Sequence, residues 1–394
     1  MRPTLPDPAD LARHYARFRV GERVLLTGHS HQAWPDVAFE AQQQAWLDAA
    51  QWVDEKWDLA AAKADHVREH WRRLLGDPGG EIALGQNTHE LVIRLLSALD
   101  LGRRPRLVTS DGEFHTIARQ LARLREAGLD VQVLSARPVE TLAERLGEAV
   151  DQRTACVLVS SVLFETAEIV PGLGHLAGRC ARRGAGLLVD AYHHLNAVPF
   201  HVGRLGLEGA FVVGGGYKYC QLGEGNAFLR LPPDCRLRPV LTGWYAEFGE
   251  RERSGPRQEV PYGAGAAAFA GATYDPTAHY RAAAVFDFHV AQRLTPEKLR
   301  LISHRQVGLL QRRIEDLDLD PAVVAVEPVP DYRRAGFLAL RCPEAAALAG
   351  ALGRRGVHCD ARGTLLRLGP APYLSDGQLT EAVAHLEEAV RALI

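Results

Sequence analysis

Short apolar runs alternate with helical patterns between residues 105 and 231, and this alternation restricts the fold more than any other feature. The runs are rich in Val and Leu, as in strands buried on both faces of a sheet. The segments between them repeat apolar residues at i, i+3 and i+4, as amphipathic helices do. The predicted strands cover 106–110, 130–134, 155–161, 184–190, 209–215 and 227–231, and the predicted helices cover 115–128, 139–150 and 173–184. Such alternation predicts an α/β fold around a mostly parallel sheet.

The flanking segments suggest a second, smaller unit. Helical patterns cover 36–53 and 59–76 before the alternating block, and 277–294 and 296–317 after it, while 232–273 is rich in Gly and Pro. The end of the chain alternates again, with predicted strands at 323–329, 336–342 and 364–369 and predicted helices at 347–356 and 376–394. We therefore expect a large α/β domain over 46–284. A small α+β domain over 285–394 is expected to include the N-terminal segment 1–45.

Bulk composition excludes several function classes. The chain has 394 residues, is 47% hydrophobic and 24% charged, and carries a formal net charge of −2, so no basic surface for nucleic acid or anionic membrane is expected. No apolar run approaches the roughly 20 residues of a membrane span, and the N-terminus lacks a secretory pattern, which favours the cytoplasm. The six cysteines contain no C-x-x-C pair, so neither a disulfide framework nor a metal site is predicted.

Lysine is scarce in this chain, which makes the position of one lysine informative. Lys and Arg total 46, yet the only lysines are Lys56, Lys63, Lys218 and Lys298. Lys218 lies in the glycine-rich stretch FVVGGGYKYCQLGEG, directly after a predicted strand. Asp190 ends the preceding predicted strand. Because ligands of parallel sheets bind beyond the carboxyl ends of the strands, we expect these two side chains to meet at one site.

Two further strand and helix ends point to the same site. Phe114 and His115 follow the predicted strand 106–110, and Asn87 and Thr88 open a helix whose first N–H groups suit an anion. Pyridoxal phosphate needs a lysine for its Schiff base, an acid for its ring nitrogen, a flat partner for its ring and a cradle for its phosphate. Arginine could not replace the lysine, because the amine must lose its proton before it attacks. We therefore predict pyridoxal phosphate as the cofactor, with Phe114 or His115 stacked on its ring.

These motifs resemble the fold-type I pyridoxal-phosphate enzymes of the class V aminotransferase group, and within that group the kynureninases. DAYHHLNAVP (190–199) is similar to the family's D-x-A-H-x-x-G-A-V-P, and YKYCQLGEG (217–225) to its Y-K-Y-L-N-x-G-P-G. Trp244 resembles the tryptophan of the family's G-W pair, and CDARGTLLRLGPAPYLS (359–375) its D-x-R…I-R…P-x-Y ending. The likeness runs in order from about residue 25 to the C-terminus. It implies a mostly parallel seven-stranded sheet between helices, plus a small α+β C-terminal domain.

The resemblance implies a role in cofactor chemistry for four residues. Lys218 would carry the cofactor, Asp190 would pair with the pyridine nitrogen, and His193 would lie near the ring hydroxyl. Phe114 would stack on the ring, although the family's following Pro is absent and Ile117 replaces the acidic residue three positions on. The phosphate cradle therefore cannot be identical to that of the family.

Further roles implied by the resemblance concern the phosphate and the substrate. The phosphate would be held by Thr88 and the neighbouring amide of Asn87, together with Tyr217 and Trp244. Arg367 would grip the α-carboxylate of an amino-acid substrate through paired hydrogen bonds.

The chain departs from the family at positions where substrate is expected. The family's G-N-S-L-G stands here as residues 28–32, with His29 in place of Asn, followed by Ser30 and His31. These three residues either line the substrate site or form an exposed loop. In the lysine stretch, Gln221 and Glu224 replace the family's Asn and Pro. The substrate therefore need not be the family's own.

The resemblance implies hydrolysis of the Cβ–Cγ bond of L-kynurenine or a related γ-keto amino acid, a reaction of tryptophan degradation. The products would be alanine and an aromatic acid of the anthranilate type. Hydration of the carbonyl needs an acid–base group, for which Tyr217 or a nearby histidine could serve. By analogy of fold, we also expect a homodimer.

Other functions compete with this one. A class V aminotransferase or a β-lyase acting on a cysteine derivative would use the same cofactor. A desulfurase would need a mobile, exposed cysteine of low pKa, and Cys342 and Cys359 adjoin predicted strands. A third possibility is a cofactor-binding or scaffolding protein that catalyses nothing.

Overall fold

The computed structural model describes residues 5–247 and 260–393. Its strands are β1 (Val24–Leu25), β2 (Glu81–Gly85), β3 (Arg106–Ser110), β4 (Asp130–Leu134), β5 (Thr154–Ser160), β6 (Gly186–Asp190), β7 (Phe211–Gly215), β8 (Ala227–Leu231), β9 (Ala325–Val326), β10 (Leu338–Arg341), β11 (Val357–His358), β12 (Asp360–Arg362) and β13 (Leu365–Leu368). Its α-helices are α1 (Pro8–Ala12), α2 (Val37–Trp52), α3 (Lys56–Leu74), α4 (Thr88–Ala98), α5 (His115–Glu126), α6 (Leu142–Glu148), α7 (Leu173–Arg182), α8 (Thr277–Ala291), α9 (Pro296–Glu315), α10 (Ala345–Gly353) and α11 (Asp376–Leu393). Across these ranges, no helix is long and apolar enough to cross a membrane.

A seven-stranded sheet in the order β2-β8-β7-β6-β5-β3-β4 forms the centre of the large unit. Neighbouring strands are parallel except where β8 pairs with β2 and β7. Val157 and Val159 of β5 belong to one apolar cluster, while Cys156 and Leu158 belong to another. Because apolar clusters cover both faces, the strands read as continuous apolar runs rather than as alternating ones. The predicted α/β fold with a mostly parallel seven-stranded sheet is confirmed.

The edge strand β2 is the member of this sheet that the sequence patterns do not predict. It is five residues long, begins with the exposed Glu81 and runs directly into the turn before α4. A side chain at its last residue, Gly85, would lie 2.9 Å from Leu91 of α4, so this strand end and the helix pack closely. An edge strand with one exposed end gives a weak apolar signal, which explains why only its partners were predicted.

The parallel strands bring their carboxyl ends to one edge of the sheet. Ser160, the last residue of β5, pairs in register with Asp190, the last residue of β6. Asp190 in turn lies opposite Val213 of β7, two residues before that strand ends. The segments that follow β3, β5, β6 and β7 therefore meet at the same edge.

The smaller unit is built on a four-stranded antiparallel sheet in the order β12-β13-β10-β9. Strand β1 of the N-terminal segment pairs with β11 of this unit, and one apolar cluster joins side chains between Leu11 and Leu26 to others between Phe288 and Val390. These contacts agree with an N-terminal segment that packs on the C-terminal unit. The boundaries at residues 45 and 284 stay a prediction.

One predicted strand is much shorter in the structure. The strand predicted at 323–329 is reduced to the two residues of β9, since Pro328 and Pro330 cannot donate to a sheet ladder. The glycine- and proline-rich stretch 232–273 contains two short 3₁₀ turns, Trp244–Glu247 and Gly265–Phe269, and its part 248–259 lies outside the described residues.

Candidate active site

A cavity of about 200 Å³ lies at the carboxyl edge of the large sheet. Seven of the predicted site residues line it: Asn87, Thr88, Phe114, Asp190, His193, Tyr217 and Lys218. They come from segments that follow four different strands, so the strand-end argument brought together residues far apart in sequence. The other lining residues are Gln86, His89, Thr116, Ser160, Val162, Phe164, Tyr192, Glu224 and Gly225.

The turn that carries Lys218 is held by its own glycines. Gly223 and Gly225 have φ angles of 70° and 84°, a region that residues with a side chain rarely adopt. A Cβ at Gly223 would lie 2.6 Å from Trp34, and one at Gly225 would lie 2.6 Å from Ala278. The glycines therefore let the turn pass close to its neighbours, and this fixes where the lysine side chain begins.

Gln221, which replaces the family's Asn, anchors this turn to other parts of the fold. Its backbone also has a positive φ of 62°. Its Oε1 accepts a hydrogen bond of 2.7 Å from the Tyr15 hydroxyl and lies 3.1 Å from His289 Nε2. This departure from the family motif therefore supports the turn and does not face the cavity.

The amine of Lys218 lies in a buried and aromatic environment. Its Nζ is 2.6 Å from His193 Nε2 and lies 5.1 Å from the ring centre of Phe114 and 4.7 Å from that of Tyr192. Burial lowers the pKa of Lys218, while the nearby Asp190 carboxylate opposes that shift and Arg367 adds to it. A neutral amine, which is the nucleophilic form, is therefore accessible near neutral pH.

Asp190 and His193 are buried polar residues with few hydrogen-bond partners nearby. Asp190 Oδ1 accepts a hydrogen bond of 2.8 Å from the backbone N–H of Tyr192, and burial raises the pKa of the carboxyl group. Burial also lowers the pKa of His193, and its buried Nδ1 has no hydrogen-bond partner among the described residues. Buried polar groups of this kind call for a ligand.

The opening of α4 supplies the anion-binding side of the cavity. Asn87 caps the helix, since its Oδ1 accepts a hydrogen bond of 2.9 Å from the backbone N–H of Glu90. Thr88 and His89 form the first turn and line the cavity. The first N–H groups of a helix lack intrahelical partners and favour an anion. An amine, a buried carboxylate, an aromatic ring and a helix N-terminus on one cavity thus fit a phosphorylated pyridine aldehyde.

Phe114 lines the cavity, whereas His115 does not. The Phe114 ring packs edge-on against Phe164 at 5.3 Å between ring centres. The residue just before it, Glu113, is buried and accepts hydrogen bonds from the side chains of Ser110 and Ser160, at 3.0 and 2.7 Å. Burial raises the pKa of Glu113 to about 7, and these hydrogen bonds oppose that shift.

Sequence reasoning missed Ser160, Tyr192 and Glu113. Ser160 ends β5, so the rule that found Asp190 could also have found it. Tyr192 points into the same space because Asp190 begins a tight turn there. Glu113 had no signal, since a charged residue before an aromatic one is usually solvated.

Arg367 lies directly behind the cavity wall, and none of its atoms line the cavity. Its side chain is 3% exposed, and it donates from Nε and Nη2 to the two carboxylate oxygens of Asp360, the former at 2.9 Å. Nη1 donates to the backbone oxygen of Phe164, a lining residue. Its predicted contact with a substrate carboxylate stays a prediction.

His29, Ser30 and His31 do not line the cavity either. His29 is fully buried, and its Nε2 lies 2.6 Å from Asp360 Oδ1, so it joins the pair of Asp360 and Arg367. Burial lowers the pKa of His29 to about 4. Ser30 donates to the backbone oxygen of Thr27 at 3.2 Å, while the exposed ring of His31 stacks on Tyr217 at 5.1 Å.

Trp244 lies outside the cavity, next to Tyr245. Its ring packs on Tyr245 at 4.3 Å between ring centres, and its Nε1 donates to Thr273 Oγ1 at 3.2 Å. It does not line the cavity of its own chain, and its predicted phosphate contact stays a prediction.

Known proteins resemble this chain in sequence and in fold. Residues 290–386 match the family model of the kynureninase C-terminal domain. A kynureninase of Pseudomonas fluorescens is 29% identical over 58% of this chain and 57% of its own length, so the chain matches little more than half of that relative. An uncharacterized aminotransferase of Bacillus subtilis, YcbU, is 21% identical over 86% of this chain and 87% of its own length.

The fold also matches a solved structure of C-DES in which glycine is covalently linked to the pyridoxal-phosphate cofactor. The TM-score is 0.82 at 17% sequence identity, over 97% of this chain and 99% of that one. The predicted resemblance is therefore confirmed. The chain has the fold of the pyridoxal-phosphate-dependent class V aminotransferases, and its sequence is related to kynureninases. Pyridoxal phosphate is the cofactor of that fold group, and the cavity residues fit it.

Proposed function

We propose that this class V pyridoxal-phosphate enzyme hydrolyses the Cβ–Cγ bond of L-kynurenine or a related γ-keto amino acid. Addition of one water to the substrate gives alanine and an aromatic acid of the anthranilate type. The observation that carries the proposal is the match to the kynureninase C-terminal domain over residues 290–386, which include Asp360 and Arg367 behind the cavity wall. The ordered motifs around Asp190 and Lys218 support it.

Lys218 would hold the cofactor and later accept the substrate Cα proton at Nζ. When bound, pyridoxal phosphate would supply an electron sink for the negative charge that develops at Cα. Burial lowers the pKa of Lys218, so the amine needs little free energy to lose its proton. His193 Nε2, at 2.6 Å, is placed to exchange a proton with that amine. Asp190 would keep a negative charge next to the pyridine nitrogen.

Tyr217 is suited to donate a proton during cleavage. It lines the cavity, and burial raises the pKa of its hydroxyl, so the group stays protonated at neutral pH. A protonated phenol can stabilise an oxygen that gains negative charge when water adds to the γ-carbonyl. The exposed His31 ring stacks on Tyr217 from outside the cavity lining.

An aminotransferase or a β-lyase acting on a cysteine derivative is the second candidate. The aminotransferase match extends over 86% of this chain, more than the kynureninase match, and C-DES is described as a cystine C–S lyase. A desulfurase that uses a cysteine nucleophile is disfavoured. The cysteines are buried or half-buried, and burial raises the pKa of each thiol, including Cys180 to about 12.

Product analysis separates these candidates. The holoenzyme is incubated with L-kynurenine and with 3-hydroxykynurenine, and the fluorescent aromatic acid and alanine are quantified. We expect both products in equal amounts and no keto acid. Absence of alanine from either substrate, together with keto acid formed in the presence of an added amino donor, would identify an aminotransferase. A yellow protein that loses its colour in Lys218→Ala and converts no amino acid would support the catalytically idle alternative.

A homodimer and a cytoplasmic location belong to the same proposal. The large apolar side chains of Trp46 and Leu47 on α2 are 77% and 57% exposed, and Phe39 and Trp52 on the same helix are also exposed. Such a group on one helix supports burial against a second copy of the chain. Light scattering coupled to size-exclusion chromatography should give twice the mass of the 43.2 kDa chain.

A further inference from the structure

A cluster of metal-ligating side chains lies on the packed helices α3 and α8, outside the cavity described above. His66 and His70 stand one turn apart on α3, and Asp287 faces them from α8. His66 Nε2 is 2.8 Å from Asp287 Oδ1, His70 Nε2 is 3.4 Å from the same oxygen, and the two Nε2 atoms are 3.2 Å apart. None of the three residues lines the cavity.

The spacing of these three atoms suits one ion. A tetrahedral zinc ion with ligands at about 2.0–2.1 Å separates its ligand atoms by about 3.3 Å. The three observed separations, from 2.8 to 3.4 Å, bracket that value. An ion equidistant from the three atoms therefore needs only small side-chain adjustments.

The cluster combines a rigid ligand with an open side. The His70 side chain is 6% exposed, and its ring stacks on Phe286 at 4.8 Å with an angle of 7° between the planes. His66 and Asp287 are 42% and 63% exposed, so solvent reaches the ligand atoms. Three protein ligands on helices, with one side open to water, are typical of a zinc site with a water as fourth ligand.

The ligand types select the class of ion. Two imidazole nitrogens and one carboxylate oxygen suit borderline cations such as Zn²⁺, Co²⁺ and Ni²⁺. Mg²⁺ and Ca²⁺ prefer oxygen ligands alone. An ion here would also neutralise the negative charge of Asp287 beside two imidazoles.

We propose that His66, His70 and Asp287 bind a first-row transition-metal dication, with zinc as the probe of choice, and that this ion fastens α3 to α8. His289, two residues after Asp287, contacts Gln221 of the turn that carries Lys218. An ion that fixes α8 would therefore also stabilise this turn. Sequence spacing alone does not reveal the site. A pair of histidines four residues apart is common on helices, and the third ligand comes from another helix far along the chain.

Metal titration of the tag-free holoenzyme tests this proposal. After treatment with a chelator and gel filtration, the protein is titrated with ZnCl₂ by calorimetry, and Co²⁺ is added in parallel to record visible absorption. We expect one zinc per chain, a Co²⁺ spectrum of low coordination number, and a higher Tm with zinc, since a ligand of the native state stabilises it.

Variants of the exposed ligands locate the ion. His66→Gln and Asp287→Asn should each weaken zinc binding by about tenfold or more, since even outer-shell partners are worth about that much. His70 is left unchanged because its buried ring packs on Phe286. His385→Gln is the matched control, since His385 also lies near two carboxylates, on α11, and should bind zinc as the wild type does.

Two results would overturn the site. The first is a wild-type protein that binds no stoichiometric zinc and shows no change in Tm. The second is zinc binding that both His66→Gln and Asp287→Asn retain at wild-type affinity, which would place the ion elsewhere. Neither result depends on turnover of any amino acid.

Discussion

Two layers of polar residues, one lining the cavity and one behind its wall, differ in how their charges are compensated. In the layer that follows the large sheet, Lys218, Asp190 and His193 are buried, and the Nδ1 of His193 lacks a partner among the described residues. In the layer behind Phe164, each of the three nitrogens of the Arg367 guanidinium donates a hydrogen bond, two to Asp360 and one to a backbone oxygen.

This difference indicates that the first layer leaves polar groups available for a ligand, whereas the polar groups of the second layer already bind one another. Burial lowers the pKa of Lys218 and raises the pKa of Asp190, so both shifts favour the neutral forms, as expected for buried charges that are incompletely compensated. Burial alone would raise the pKa of Asp360, but hydrogen bonds from His29 and Arg367 lower it well below its usual range. We propose that the first layer holds the cofactor. If Arg367 binds the substrate carboxylate as predicted, the carboxylate would share it with Asp360.

Replacement of Lys218 should have the largest effect and tests the first layer. Lys218→Ala should lower kcat by about 10⁴-fold or more, because a residue that acts as both anchor and base has no substitute. The measurements are the visible absorbance of the bound cofactor and the rate of product formation. Lys298→Ala, on α9 and outside the cavity lining, is the matched control and should behave as the wild type. Turnover retained in Lys218→Ala would contradict the assignment.

Neutralising Asp190 should have the next largest effect. Asp190→Asn keeps an oxygen for the hydrogen bond from the Tyr192 N–H but removes the charge. We expect kcat to fall by about 10²–10³-fold, the usual loss when one electrostatic partner of a reaction centre is removed. Cofactor content should stay high, because Lys218 is unchanged. A variant with wild-type kcat would show that this carboxylate does not tune the cofactor.

Replacement of Arg367 tests the second layer, and its main effect should be on KM. Arg367→Gln should raise KM for the amino acid by about 10–100-fold, the value of hydrogen bonds to a charged group, and leave cofactor absorbance unchanged. Because this variant leaves the half-buried Asp360 carboxylate without its guanidinium partner and with only His29 beside it, Tm should also fall. The double variant Arg367→Gln with Asp360→Asn removes both charges and should recover part of that loss while KM stays high. An unchanged KM in both variants would remove Arg367 from the substrate site.

Glu113 should give the smallest effect, seen as a pH dependence of stability. Burial raises the pKa of Glu113 from 4.5 to about 7, so between these values the folded protein holds a proton that the unfolded chain releases. The stability contributed by this proton is complete below pH 4.5 and is lost as the pH rises through 7. In urea unfolding at pH 5 to 8, Glu113→Gln should lose less stability than the wild type over that range. Identical slopes would contradict the raised pKa.

The two layers also differ in how far the sequence could predict them. Asp190 and Lys218 each follow an apolar strand, and parallel strands send their ends to one edge, so their meeting follows from local patterns. Arg367 and Asp360 lie on adjacent antiparallel strands, which predicts their contact but not their position behind Phe164. That position depends on how the small unit packs on the large one, and no local pattern encodes it.

Substitutions in a motif were equally hard to interpret from sequence. His29 stands where the family has Asn, a position expected to contact substrate, yet its ring is buried against Asp360. Gln221 stands at another departure and binds Tyr15 from the N-terminal segment. In both cases the partner is far away in sequence. A departure from the family motif therefore did not reveal whether the residue contacts the ligand or only supports the residues that do.

The most direct measurement is borohydride reduction of the yellow holoenzyme followed by peptide mass spectrometry. Since the chain has only Lys56, Lys63, Lys218 and Lys298, each lysine falls on its own identifiable peptide. We predict a phosphopyridoxyl group on the peptide that contains Lys218 and on no other. A group fixed to another lysine, or no group fixed at all, would contradict the account.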